Sequence, residues 1–352
     1  MRRTLGILAI AALAAPLAAT AAQPPLSSAA APERAARLSW HHVDVDTDQQ
    51  LRGLDAVDAD TAWVGGSAGG IWHTTDGGAT WVDASPQGAK GLLFRDIEAW
   101  DDRTAIALSI GEGKDSRIYR TTNGGRSWKK AFVNQNKAAF YDCVAMYDDG
   151  LHGLAVSDPV DGRFRILSTK DGGESWKVVD PAGMPDAVEG EFAFAASGTC
   201  LVTSGKRAYL ASGGGASRIF SSSDHGKTWT VRDSTIPASE AGGVFSMAYD
   251  GKRGVAVGGD FEQEDVGTDA AAYSRDRGKT WSNAGDLGGY RSGLSWWRKD
   301  ALVAVGPSGS DVSRDGGKTW KTFSTLDLDA VQCVDGACWA SGVDGGVVTL
   351  RH

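Results

Sequence analysis

Three arginines, Arg52, Arg95 and Arg291, stand at the heads of similar apolar runs, with Asp96 following the second and Tyr290 preceding the third. A guanidinium presents its N–H groups as a planar fork, so arginines gathered on one rim would hold a carboxylate or phosphate through paired bonds. A second set, Asp142, Asp158 and Glu191 with Tyr141, offers carboxyl and phenol groups of the kind that act as general acid and base. Two such carboxyls, roughly 5–9.5 Å apart across a sugar bond, would suit glycoside hydrolysis. The competing reading is that each arginine pairs with a neighbouring aspartate and neutralises a charged funnel mouth. Which of these holds depends on where the fold puts the groups.

The positioning frame is a repeat. Six copies of the pattern Ser/Thr-x-Asp/Asn-x-Gly-x-Ser/Thr-Trp recur roughly forty to fifty residues apart, with Asp76, Asn123, Asp171, Asp224, Asp276 and Asp315 at the third place. Trp81, Trp128, Trp176, Trp229, Trp281 and Trp320 close the six copies. An Asp or Asn at the head of a tight turn accepts backbone N–H bonds, and Gly two residues on supplies the positive φ. The tryptophan then enters the next strand, where an aromatic of that size buries roughly 150–250 Å². These Asp boxes are expected to be hairpin staples with no part in catalysis.

Short apolar runs precede the boxes: Thr61–Gly65, Thr104–Leu108, Gly153–Ser157, Gly254–Gly258 and Ala301–Gly306. They lack strict alternation, as strands covered on both faces do. With a further strand before each, the unit is a four-stranded propeller blade. After Trp320 three more strands follow without a box, and Ala36–Val43 is left over at the start. Joining the two remainders makes a seventh blade and removes free sheet edges. The sequence thus predicts an all-β fold, a seven-bladed β-propeller over residues 36–352, whose ring closes through the N-terminal strand. Inner-strand starts, including Arg52, Arg95-Asp96, Tyr141-Asp142, Glu191, Phe245, Tyr290-Arg291 and Asp329, would ring the channel on the face opposite the boxes.

Arg2, Arg3 and the apolar stretch from Leu5 to Ala19 read as a secretory signal over residues 1–22, cut near Ala21 or Ala22. Residues 23–35 read as a disordered spacer. The expected location is therefore periplasmic or secreted, without membrane insertion. The net charge of −8, with no basic run, argues against nucleic acid as a partner. Export permits disulfides: Cys333 with Cys338 across a hairpin-sized loop, and Cys143 with Cys200 between neighbouring blades. No metal and no cofactor are expected, since no zinc or redox spacing occurs, and Gly213-Gly-Gly-Ala lacks the strand-to-helix setting of a dinucleotide loop. A monomer is expected.

The boxes, the seven-unit layout and stretches such as Phe140–Cys143, Ser157–Gly162, Ala195–Thr199 and Gly289–Ser292 resemble the photosystem II stability/assembly factor family, in its bacterial branch outside photosynthesis. The resemblance covers roughly residues 36–351 and implies a propeller that binds a protein partner through an arginine patch. Arg52, Arg95 and Arg291, with Asp96 and Tyr290, match that implied partner- or anion-binding surface. The alternative is a sialidase-like or glucanase-like hydrolase using Asp142, Asp158, Glu191 and Tyr141 on a glycan. Against it, the chain lacks the Arg-Ile-Pro element that typically opens a sialidase domain and is long enough for only one propeller.

Overall fold

Seven sheets, six of four strands and one extended to six, make up the computed structural model, which describes residues 38–351. The signal-peptide and spacer assignments lie outside the described residues. Blade 1 runs through Leu51–Ala56, Ala62–Gly66, Ile71–Thr74 and Val82–Asp83, all antiparallel. Blades 2 to 6 repeat the pattern. Blade 7 takes Leu328–Val334, Ala337–Gly342 and Val347–Arg351 from the C-terminal end, and Ser39–His42 as its outermost strand, with Ser39 opposite Arg351. The ring therefore closes by pairing the two ends of the propeller, as the leftover strands required.

The box is a compact hydrogen-bond unit. In blade 3, Thr169 Oγ1 donates to Asp171 Oδ1 at 2.7 Å and accepts from Gly173 N at 3.1 Å. Ser175 N and Ser175 Oγ then donate to the two Asp171 oxygens at 3.0 and 2.6 Å. In blade 2 the amide of Asn123 keeps the turn by donating to Ser127 Oγ while its Oδ1 accepts Ser127 N. The box glycines (Gly78, Gly125, Gly173, Gly226, Gly278 and Gly317) all have φ between 75° and 84°, a region costly for any residue with a Cβ.

Each box tryptophan packs between its own blade and the one before it. Trp176 joins Ile106, Leu108 and Ile118 of blade 2 to Tyr141, Val144 and Leu167 of blade 3. Trp81 meets Trp339 of blade 7 edge-on at 6.2 Å, carrying the same packing across the closure. Blade 7 has no box, and Trp40 of the N-terminal strand fills the corresponding place against Phe323 of blade 6, bonding Ser310 Oγ at 3.0 Å. Both expected disulfides are present: Cys333–Cys338 between register partners in blade 7, and Cys143–Cys200 between blades 3 and 4.

Blade 4 departs from the sequence expectation. Its inner strand is Leu201–Ser204, so Glu191 is not an inner-strand start. Glu191–Phe192 instead pairs with Gly213–Gly214, and that short ribbon extends the sheet of blade 5. The segment from Ala193 to Thr199 then runs through the channel. Ala193 N donates to Asp158 in blade 3, Ala195 O accepts Arg95 of blade 2, and Ser197 Oγ donates to Ser292 O of blade 6. Small residues suit that crowded path. A Cβ on Gly198, whose φ is +82°, would lie 2.3 Å from an Asp96 oxygen.

Two stability tests follow from this packing. Trp176→Ala should cost about 3–5 kcal/mol in urea unfolding, because a large side chain between blades is lost. Replacing Cys143 and Cys200 by Ser should cost about 2–5 kcal/mol, more than the same change at Cys333 and Cys338, whose loop is far shorter.

Candidate binding site at the channel mouth

Strand register aims the mouth residues. The inner strands of blades 1, 2, 3, 5 and 7 each slip by one residue, at Arg52, Arg95, Asp142, Phe245 and Asp329. A bulge of this kind turns one side chain out of the alternating pattern. Four of the five then face the mouth or its border, on the side away from the boxes. A cavity of about 370 Å³ opens there, walled by Arg52, Phe194, Phe245, Phe261, Tyr290 and Asp329 among others. Its aromatic side is continuous: Phe194 and Phe245 stack at 3.7 Å, and Tyr290 meets Phe245 edge-on at 4.6 Å.

The polar side is mixed in charge. Arg52 Nε lies 3.1 Å from Asp329 Oδ1 without an aligned hydrogen bond, and Gln50 Nε2 donates to Asp329 Oδ2 at 2.8 Å. Burial pushes the Asp329 carboxyl up, and Arg52 opposes the shift. Arg95 Nη1 donates to Ala195 O at 3.0 Å. Its guanidinium is pushed down to about 10, first by burial and then by the positive charge of Arg52. Burial keeps the Tyr290 phenol protonated well above its ordinary range.

Arg291 requires a correction, because it does not join Arg52 and Arg95. It is wholly buried, donating from Nε to Asp311 Oδ2 at 2.7 Å and from Nη1 to Tyr290 O and Ser308 Oγ. Tyr290 takes the mouth, and in extended chain the next side chain points the other way. The pairing of arginine with aspartate therefore describes Arg291, and in part Arg52. Asp96 also leaves the rim: it is buried in the channel below, where its Oδ2 accepts Val144 N at 2.6 Å.

The acids proposed for hydrolysis are placed apart from this cavity. Glu191 is buried and ion-paired to Arg218, which also donates to it through Nε at 2.9 Å. Asp142 is buried, and its carboxyl is raised by burial and by Asp158. Asp158 is half-buried, pushed up to about 6 by burial, and accepts Ala193 N at 2.9 Å. Tyr141 is fully buried with its ring edge-on to Phe132 at 5.4 Å. None of the four walls the mouth cavity. Among the described residues no cluster of three or more His, Cys, Asp or Glu is arranged to hold a metal.

Sequence reasoning missed Phe194 and the channel acids Asp55 and Glu98. The channel cavity is lined by all seven inner strands, and Asp55, Asp96 and Glu98 face it together. Each carboxylate accepts a backbone N–H from the next blade: Asp55 from Ala99, Asp96 from Val144, and Glu98 from Met146. Those donors belong to innermost strands, whose channel-side N–H groups lack a strand partner. The residue signal was a carboxylate inside an apolar strand run, which is costly unless it is hydrogen-bonded.

The same cluster sets a pH dependence. Burial pushes Asp55 up to about 6, and burial together with acidic neighbours raises Asp96 and Glu98 further above the ordinary value. A carboxyl with a raised folded-state pKa holds its proton better in the folded chain, so stability falls as pH rises from 3.8 through 6. Box aspartates act oppositely but lower. In Asp171 hydrogen bonds from Ser175 and Thr169 outweigh burial and bring the carboxyl to about 2, so it stays ionised at pH 5. The melting temperature should therefore be higher at pH 5 than at pH 7.5, and Asp55→Asn should narrow that difference.

Comparison with known proteins agrees with this architecture. The BNR/Asp-box repeat family pattern matches residues 272–283 and 311–322, the fifth and sixth boxes. The photosystem II assembly lipoprotein Ycf48 of Synechococcus sp. (strain CC9902) is 26% identical over 150 residues, a segment that spans 41% of each chain. A solved structure described as YCF48 bound to D1 peptide superposes with a TM-score of 0.61 at 15% identity, covering 89% of this chain and 97% of that one. YCF48 from Cyanidioschyzon merolae gives the same TM-score at 16% identity, covering 89% and 98%. At such identities the structural likeness shows the fold. With its Asp-box repeats and its seven-bladed ring, this chain is an Asp-box β-propeller, similar over part of its length to a photosystem II assembly factor.

Proposed function

We propose that this protein is a non-catalytic scaffold that docks a segment of a partner protein at the channel mouth opposite the boxes. The observation that carries the reading is the mouth itself. An aromatic wall and the half-buried guanidinium of Arg52 line it, with Arg95 at its border holding Ala195 O, while Glu191 and Asp142 are buried elsewhere. A propeller of the same fold has been solved with a D1 peptide, which supports a peptide rather than a sugar as the occupant. Export to the periplasm or the exterior belongs to this proposal and rests on the residues of the N-terminal signal.

Site-specific photocrosslinking tests the docking face. A photoreactive phenylalanine analogue in place of Phe261 should yield a discrete protein adduct in the native host, and one at Lys318 on the box face should not. Arg52→Ala with Arg95→Ala should remove the adduct and leave the melting temperature within a few degrees. Equal adducts from both faces, or none at Phe261, would overturn the reading.

A further inference from the structure

The mouth cavity has a floor. Phe194, Ala195 and Ala196 wall the mouth, while Ser197, Gly198 and Thr199 wall the channel cavity beneath. This segment is pinned from several sides: Arg95 holds Ala195 O, Ser197 Oγ bonds Ser292 O, Thr199 O accepts Met247 N, and the Cys143–Cys200 disulfide anchors its end. A polypeptide therefore has no open bore to thread. It can insert a side chain.

The wall is suited to an apolar one. Phe194, Phe245 and Tyr290 form a continuous buried surface, and Phe261 stands 6.2 and 6.3 Å from the first two. Phe261 is 45% exposed on an otherwise acidic loop, an aromatic left uncovered beside a cavity. Aromatic rings pack well edge-on and offset against one another, so a further ring would extend this cluster and cover Phe261.

Charge narrows the class. Asp327, Asp329 and Glu264 share the mouth with Arg52, and Arg95 reaches its border at Ala195 O, a balance that disfavours a polyanion. One carboxylate is a different matter. Arg52 meets Asp329 without an aligned hydrogen bond, and Arg95 lies within the positive field of Arg52 with a single backbone acceptor, Ala195 O. A single incoming carboxylate would relieve that repulsion and accept charge-assisted bonds.

Resting on the docking reading above, we propose that the recognised element is an extended peptide carrying a phenylalanine-sized side chain beside one Asp or Glu. The ring enters the Phe194–Phe245–Tyr290 pocket, and the carboxylate meets Arg52 and Arg95.

The test is an NMR titration of the isotope-labelled mature chain with acetyl-Gly-Asp-Phe-Gly-amide. Saturable shifts are expected at Phe245, Tyr290 and the Arg95 side chain. Replacing Asp by Asn in the peptide should weaken binding about tenfold, as loss of a charge-assisted bond does. Replacing Phe by Ala should abolish it, and Arg52→Gln with Arg95→Gln in the protein should make the Asp and Asn peptides equivalent. Phe261→Ala, at an exposed position, should weaken binding without loss of folding. No saturable shift up to about 5 mM, equal binding of the Asn or Ala peptide, or shifts produced instead by cello-oligosaccharides or sialyllactose would each overturn the proposal. A Phe261 crosslink that persists while the peptide fails would sink this inference alone. Peptide binding without any crosslink would sink the docking reading and leave the pocket chemistry standing.

Discussion

Every Asp-box tryptophan is covered by side chains of the preceding blade as well as its own, so no blade completes its core in isolation. Trp128 lies with Trp63 of blade 1, Trp229 with Leu154 of blade 3, and Trp320 with Val255 of blade 5. The chain of dependence returns on itself through Trp81 and Trp339, and through Trp40 where a seventh box is missing. Ring closure thereby gives the first and last blades the same burial as the rest. Sheets covered on both faces must be apolar on both, which is why the second strands, such as Ala105–Ile110 and Ala301–Gly306, are buried along their whole length.

That closure leaves one unsolved edge in every blade, the innermost strand, and the protein meets it with side chains. Asp55, Asp96, Glu98, Gln332 and Ser295 each accept a backbone N–H from the following blade. The arrangement satisfies buried donors at the expense of gathering three carboxyls in one cavity, and the raised carboxyl pKa values are the consequence. At the opposite end of the same strands, single-residue slips free Arg52, Arg95, Phe245 and Asp329 from the alternation. Channel and mouth are thus two outcomes of the same edge-strand problem.

The segment Ala193–Thr199 separates the two. Its small residues allow close approach to Asp96 and Ser292, and Phe194 is the exception that supplies the aromatic floor. It displaces the inner strand of blade 4 to Leu201–Ser204, and in doing so it carries Glu191 away from the channel into its pair with Arg218.

The repeat was legible in the residues alone, because each box carries its own turn chemistry within eight positions. The Asp171, Thr169 and Ser175 bonds are local, and local spacing specifies them. Blade count, the closing strand and both disulfide partners also follow from order along the chain, since consecutive strands pair with one another. The direction of individual side chains at the mouth does not. Arg291 and Tyr290 are neighbours, yet one is sealed against Asp311 and the other walls the cavity, a difference set by strand register that composition does not encode. Phe194 and Phe245 lie 51 residues apart and stack only because the ring brings blade 5 against a segment crossing from blade 3. Local hydrogen bonding fixed the scaffold, and packing across the closed ring decided what the scaffold presents.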